Sequence, residues 1–137
     1  MYEITNKATR NLRSDLVYPE LSYQVVGALF EVGKNLGGGY REQYYQRALE
    51  EELTKMGVPF NKQVSCSLIY KGKKIGRGYI DLLVDGKIAV EIKKDRAFSK
   101  SNIDQLYSYL KATGLKLGIL ANFTRDGVKF RRIVNLR

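Results

Sequence analysis

No histidine occurs in this sequence of 137 residues, and no tryptophan. The first absence removes Ser-His and Cys-His nucleophilic catalysis, imidazole acid-base work and the common zinc sites together. Cysteine is represented by Cys66 alone, so there is no intramolecular disulfide, and its strand-like setting reads as a core thiol rather than a nucleophile. No run approaches the ~18 apolar residues that a membrane helix needs. The opening stretch MYEITNKATRNLRSDL lacks the apolar core of a signal peptide, and the expectation is a cytoplasmic protein.

What the chain does have is positive charge, unevenly spread. The formal net charge is +10; residues 1–61 hold 7 Lys/Arg against 8 Asp/Glu, whereas residues 62–137 hold 17 against 6. Such asymmetry within one domain points to a cationic face for a polyanion, most often nucleic acid, with a merely soluble basic surface as the alternative. Ten tyrosines could stack on bases or simply pack.

The length suits one domain, and the pattern divides into an N-terminal arm at 1–18 and a single domain at 19–137. Pro19 suits a first helical position, Leu21, Val25, Ala28, Leu29, Val32 and Leu36 recur at helical spacing, and the glycines at 37–39 stop the run. A second helix is expected from about Tyr40 to Met56, ended by Gly57 and Pro59. From Phe60 the period changes to alternation, with KGKK at 71–74 as a basic turn, and further strands near 75–84 and 87–93. Ser99 is a plausible cap for a helix to about Ala112, and KLGILANF and VKFRRIVNL close the chain as strands. The order ααβββαββ is mixed α/β, a central sheet flanked by helices.

The stretch YIDLLVDGKIAVEIKKD carries Asp81, Glu91 and Lys93 within two aliphatic runs. Ionised groups on a buried strand are costly unless paired or ligating a metal. Alternation puts Glu91 and Lys93 on one face and Ile88, Val90 and Ile92 on the other. Asp81 joins Glu91 only if the turn cooperates. A two-residue Asp85-Gly86 loop sets Asp81 opposite Val90, on the wrong face; a three-residue loop from Val84 to Gly86, with Gly86 left-handed in a bulge, sets it opposite Ala89 and beside Glu91. A site therefore requires the bulged turn or an equivalent irregularity. Converging carboxylates would need a cation, and Mg²⁺ typically takes one or two carboxylates and keeps waters. Lys93 could then orient the attacking water or stabilise phosphoryl charge. By itself this spacing is more often an ordinary Glu-Lys pair.

Two helices add to the pattern. Tyr45, Leu49, Leu53 and Met56 lie within about 60 degrees of Glu42 around the second helix, which makes Glu42 the acid on its apolar stripe, although the helix dipole alone would favour an acid in that first turn. Gln105 and Tyr109 share a face of the third helix at i and i+4, beside Ile103, Leu106 and Leu110.

The motif G39-x-x-E42-x-x-Y45 in GGYREQYY, taken with IDLLVDGKIAVEIK and DQLYSYLKATGLKLGILANF, resembles the GxxExxY proteins of the PD-(D/E)XK nuclease superfamily over about Leu21 to Val134. Ile80 stands where the superfamily name has proline. The resemblance implies a restriction-endonuclease-like αβββαβ core with an extra N-terminal helix, and a phosphodiesterase site similar to that of the lambda-exonuclease and RecB-type nucleases. It implies further that Asp81, Glu91 and the Ile92 carbonyl bind the metal, with Glu42 supporting the site and as a further metal ligand, that Lys93 assists the water, and that Gln105 and Tyr109 form the Q-x-x-x-Y element. The expected cofactor is Mg²⁺, with Mn²⁺ as substitute, and the expected activity is hydrolysis of nucleic acid, DNA favoured over RNA. A non-catalytic binding module and an RNA-directed nuclease are the alternatives, and a homo-oligomer is left open. Candidate backbone contacts are Lys71, Lys73, Lys74, Arg77, Lys94, Arg96 and Lys100, although lysines at strand ends also serve to block edge pairing.

Overall fold

The computed structural model describes residues 3–4, 17–94 and 97–136. In chain order its elements are β1 (Glu3–Ile4), α1 (Pro19–Leu36), α2 (Glu42–Lys55), β2 (Phe60–Tyr70), β3 (Lys73–Val84), β4 (Ile88–Lys93), α3 (Lys100–Thr113), β5 (Leu117–Thr124) and β6 (Gly127–Val134). One sheet of six strands holds them together in the order β1-β6-β5-β4-β3-β2. Only β4 and β5 run parallel, joined by the crossover through α3; every other neighbouring pair is antiparallel.

The helices form where pattern and caps agree. Pro19 opens α1, whose Val25, Ala28, Leu29 and Val32 are buried, and the Gly37 N–H closes it on the Gly33 carbonyl at 2.9 Å. Ser99 caps α3 by accepting the Asn102 N–H at 3.1 Å, and the Gly114 N–H meets the Leu110 carbonyl at the other end. None of the described helices is long and apolar enough to cross a membrane.

Two cores lie on opposite faces of the sheet. Leu29, Leu49 and Leu53 of α1 and α2 pack on Leu82, Val84, Ile88, Val90 and Ile92. On the other face Leu106, Tyr109 and Leu110 of α3 cover Cys66, Ile80, Ala89 and Leu120. Helices on both faces are what a parallel crossover at the sheet centre requires.

The turns depart from expectation in two places. Only Lys71 and Gly72 turn between β2 and β3; Lys73 and Lys74 are already in the strand, opposite Tyr70 and Ile69. Between β3 and β4, Val84 pairs with Ile88, so the loop is Asp85-Gly86-Lys87 and not either loop expected. Asp85 and Gly86 both take positive φ (51° and 65°), as a primed hairpin turn demands, and the Lys87 N–H reaches the Val84 carbonyl at 2.9 Å with Lys87 as the extra residue. Carried on from Leu82↔Val90, this register sets Asp81 directly across from Glu91. The equivalent irregularity is present.

Candidate active site

Past Leu82↔Val90 the ladder between β3 and β4 stops, and side chains take over from the backbone. The Asp81 N–H donates to Glu91 Oε1 at 3.0 Å, and the Ile92 N–H donates to Asp81 Oδ2 at 2.9 Å. Each acid thus accepts from the opposite strand, at the fork where the two strands part.

Burial sets the electrostatics. Glu91 is 5% exposed; its carboxyl is pushed up to about 8, first by burial and then by the charge of Asp81. Asp81 is raised as well, by burial, against the pull of the Ile92 N–H, the Lys93 charge and the Gln63 amide. The charge on Asp81 adds to the effect of burial on Glu91, so the pair favours keeping a proton on Glu91. Lys93 follows on β4, half-buried and opposite Asn122 of β5, with its charge felt by both acids. An all-oxygen pair that must hold either a proton or a cation suits a hard divalent ion. Among the described residues no group of three or more Cys, Asp or Glu side chains forms a metal cage, so Glu42 is not gathered with the pair.

Tyr45, the last residue of the G39-x-x-E42-x-x-Y45 motif, fixes where Glu42 stands. Its buried ring stacks on Phe123 of β5 with centroids 4.2 Å apart, and its hydroxyl donates to the Gly37 carbonyl at 2.6 Å and accepts the Tyr40 N–H at 3.3 Å. The start of α2 is thereby clamped at the end of β5, with Glu42 half-buried in the first turn. One turn on, Gln46 donates to the Asp81 carbonyl at 3.4 Å. Gln105 is exposed, whereas Tyr109 is buried over Gly78, where a Cβ would run into the ring. Tyr109 and Cys66 are both raised, mainly by burial, and both feel Glu91, so they wall the pair on the α3 side.

The basic candidates separate. Lys71, Lys73, Lys74 and Arg77 are exposed at the far end of the β2–β3 ribbon. Lys94 lines a cleft of about 580 Å³ with Gly39, Phe123, Arg125 and Lys129. Lys100 is paired to Asp104 at 2.7 Å, and Arg96 lies outside the described residues. Arg125 and Lys129 escaped the sequence reading because only the β5–β6 turn brings them beside Lys94.

Gln63 escaped it too. It sits on β2 between the pairs Lys62↔Leu82 and Val64↔Ile80, with φ 48°, a left-handed conformation in mid-strand that costs a residue with a side chain about 1 kcal/mol or more. The pleat inverts there: Phe60 packs on the α1–α2 face and Val64 on the α3 face. There the Gln63 amide is near enough to Asp81 to favour its charged form slightly. Gln63→Gly is expected to leave the melting temperature within about 2 °C, since relief of strain offsets glycine's entropy. Any rise in melting temperature on adding Mn²⁺ should be smaller than in wild type, because Asp81 loses a neighbour that favours its charged form; an equal rise would deny Gln63 that role.

A three-layer α/β domain with two acids and a lysine at a strand fork has the architecture of restriction-endonuclease-like enzymes. The chain belongs to the PD-(D/E)XK nuclease superfamily, whose family model matches residues 19–133. Nucleases of this superfamily generally use divalent metals. Among solved structures it is similar to one titled "Crystal structure of SSO0001", with a TM-score of 0.53 and 22% identity over 92% of this chain; the match spans 61% of that chain and shows the fold. A search of curated proteins finds no match.

Proposed function

We propose that this protein is a Mg²⁺-dependent nuclease, accepting Mn²⁺, of the GxxExxY kind in the lambda-exonuclease and RecB-like branch, and that it hydrolyses DNA phosphodiesters in the cytoplasm. The observation that carries the reading is the Asp81–Glu91 pair, joined by reciprocal bonds to the opposite strand's backbone with Lys93 beside it. Asp81, Glu91 and the Ile92 carbonyl would hold the cation. A divalent ion held there would supply Lewis acidity to the scissile phosphate and the attacking water.

The remaining work falls to side chains of this chain. Lys93 orients the water for in-line attack on phosphorus and stabilises the charge that builds as one P–O ester bond breaks. Gln105 presents an exposed amide to the substrate, and Tyr109 holds the wall beside Glu91. Lys94 positions the backbone entering the cleft, together with Arg125 and Lys129.

Cleavage of linear and circular, single- and double-stranded DNA and RNA with Mg²⁺ or Mn²⁺, beside Asp81→Asn, tests this. Wild type should cut DNA and the variant should not. Wild type that binds every substrate and leaves all intact would make the protein a binding module, and cutting confined to RNA would change the substrate.

A further inference from the structure

The β2–β3 ribbon is longer than its place in the sheet requires. β4 pairs with β3 only at Leu82–Val84, while β2 pairs with β3 from Phe60↔Val84 out to Tyr70↔Lys73. Everything from Lys73 to Ile80 therefore stands beyond the central sheet as two strands. One face is occupied, with Cys66 and Ile80 packed under α3 and Gly78 against the Tyr109 ring. The other face is open: Ser65 pairs with Tyr79, Ser67 with Arg77, and all four are exposed.

Charge decides what this face suits. Residues 60–80 contain five Lys or Arg and no acid. A second copy pairing along the ribbon would bring like charge against like, and an acidic polymer would meet no repulsion at all. Shape narrows the choice, because the duplex major groove admits a two-stranded ribbon. Position narrows it again, because the strand that carries Lys73 and Lys74 continues, past one bulge at Ile75, into Asp81. At ~3.3 Å per residue, the eight steps from Lys73 to Asp81 span at most about 26 Å, the bulge shortening them slightly, or up to about 8 base pairs at ~3.4 Å each.

The geometry points to the ribbon as an arm that grips the duplex flank on one side of the cut, so that substrates must extend about 8 base pairs from the scissile phosphate. It rests on the nuclease reading only for the nature of the ligand. Serines and Tyr79 line the path along the open face, and Lys71, Lys73 and Lys74 meet phosphates at its end.

The test measures binding without cleavage, in chelator, by fluorescence anisotropy on duplexes of 6 to 24 base pairs, with wild type and with the combined Lys71→Ala, Lys73→Ala, Lys74→Ala variant. The three lysines are exposed, so the melting temperature should hold. Wild-type affinity should climb with length and then level off. The variant should level off about 8 base pairs sooner, bind long duplexes at least about tenfold more weakly, and lose about 2.7 from the slope of log K against log salt. Unchanged length dependence and salt slope would overturn the arm while leaving the nuclease reading intact. Wild type that binds no duplex at all would also overturn the arm, and the cleavage panel alone decides the nuclease reading. A wild-type dimer in sedimentation that the triple variant dissolves would reassign the ribbon to self-pairing.

Discussion

Lys93→Ala is expected to slow cleavage about 10²–10³-fold while leaving duplex affinity nearly unchanged, the size of effect seen when one preorganised stabiliser of developing charge is removed. Lys93 is half-buried, and its charge pulls the proton affinity of both Asp81 and Glu91 down. Without it both carboxyls hold protons more tightly, so the acidic limb of the pH–rate profile should move to higher pH. Single-turnover rates across pH, with anisotropy for binding, check both parts. A variant that loses affinity and keeps its rate would make Lys93 a phosphate contact and nothing more. Arginine should not rescue fully, because its planar fork cannot replace a compact ammonium beside the two acids.

Glu91→Gln should reverse the usual cost of a mutation. The unfolded chain gives up this proton near the ordinary value of 4.5, whereas the folded protein holds it to about 8. Between those limits the folded state binds more protons, so in chelator the stability contribution of Glu91 is complete below about pH 4.5 and is lost as pH rises through about 8. Glutamine has nothing to lose over that window, and its amide oxygen can still accept the Asp81 N–H. Above pH 8 the variant should melt roughly 5 °C higher than wild type, be inactive, and gain no stability from Mn²⁺. Melting curves from pH 4 to 9, with chelator and with Mn²⁺, read this directly. Identical pH slopes for the two proteins would mean that Glu91 is ionised throughout.

How far the sequence carried the fold follows from which forces are local. The apolar stripe of α1, the Ser99 cap and the alternation at Val64 and Cys66 each act within a turn or two of chain, and each element formed where expected. Register across the hairpin was not local in that sense. It depended on Asp85 adopting φ 51° and on its N–H reaching the Pro59 carbonyl at 2.8 Å, a contact from another segment. The identities of Asp81, Glu91 and Lys93 were legible because charge in an aliphatic run stands out. Gln63 was not, since a glutamine in an amphipathic strand looks ordinary until the neighbours it touches are known, and Tyr45 was marked by its motif but not by what it does. A signal for Tyr45 did exist in its fixed spacing from Gly39 and Glu42; what it lacked was Phe123, distant in the chain.

The reciprocal bonds at the fork mean that the two acids are also stitching. Where β3 and β4 part, their carboxylates stand in for rungs that the main chain no longer supplies. Alanine at either position would open a seam as well as silence a reaction, and its phenotype would be uninterpretable; the isosteric amides keep an acceptor in place while removing the charge. A lineage that abandoned the chemistry would meet the same constraint, and would be expected to drift toward Asn and Gln at these positions before anything smaller.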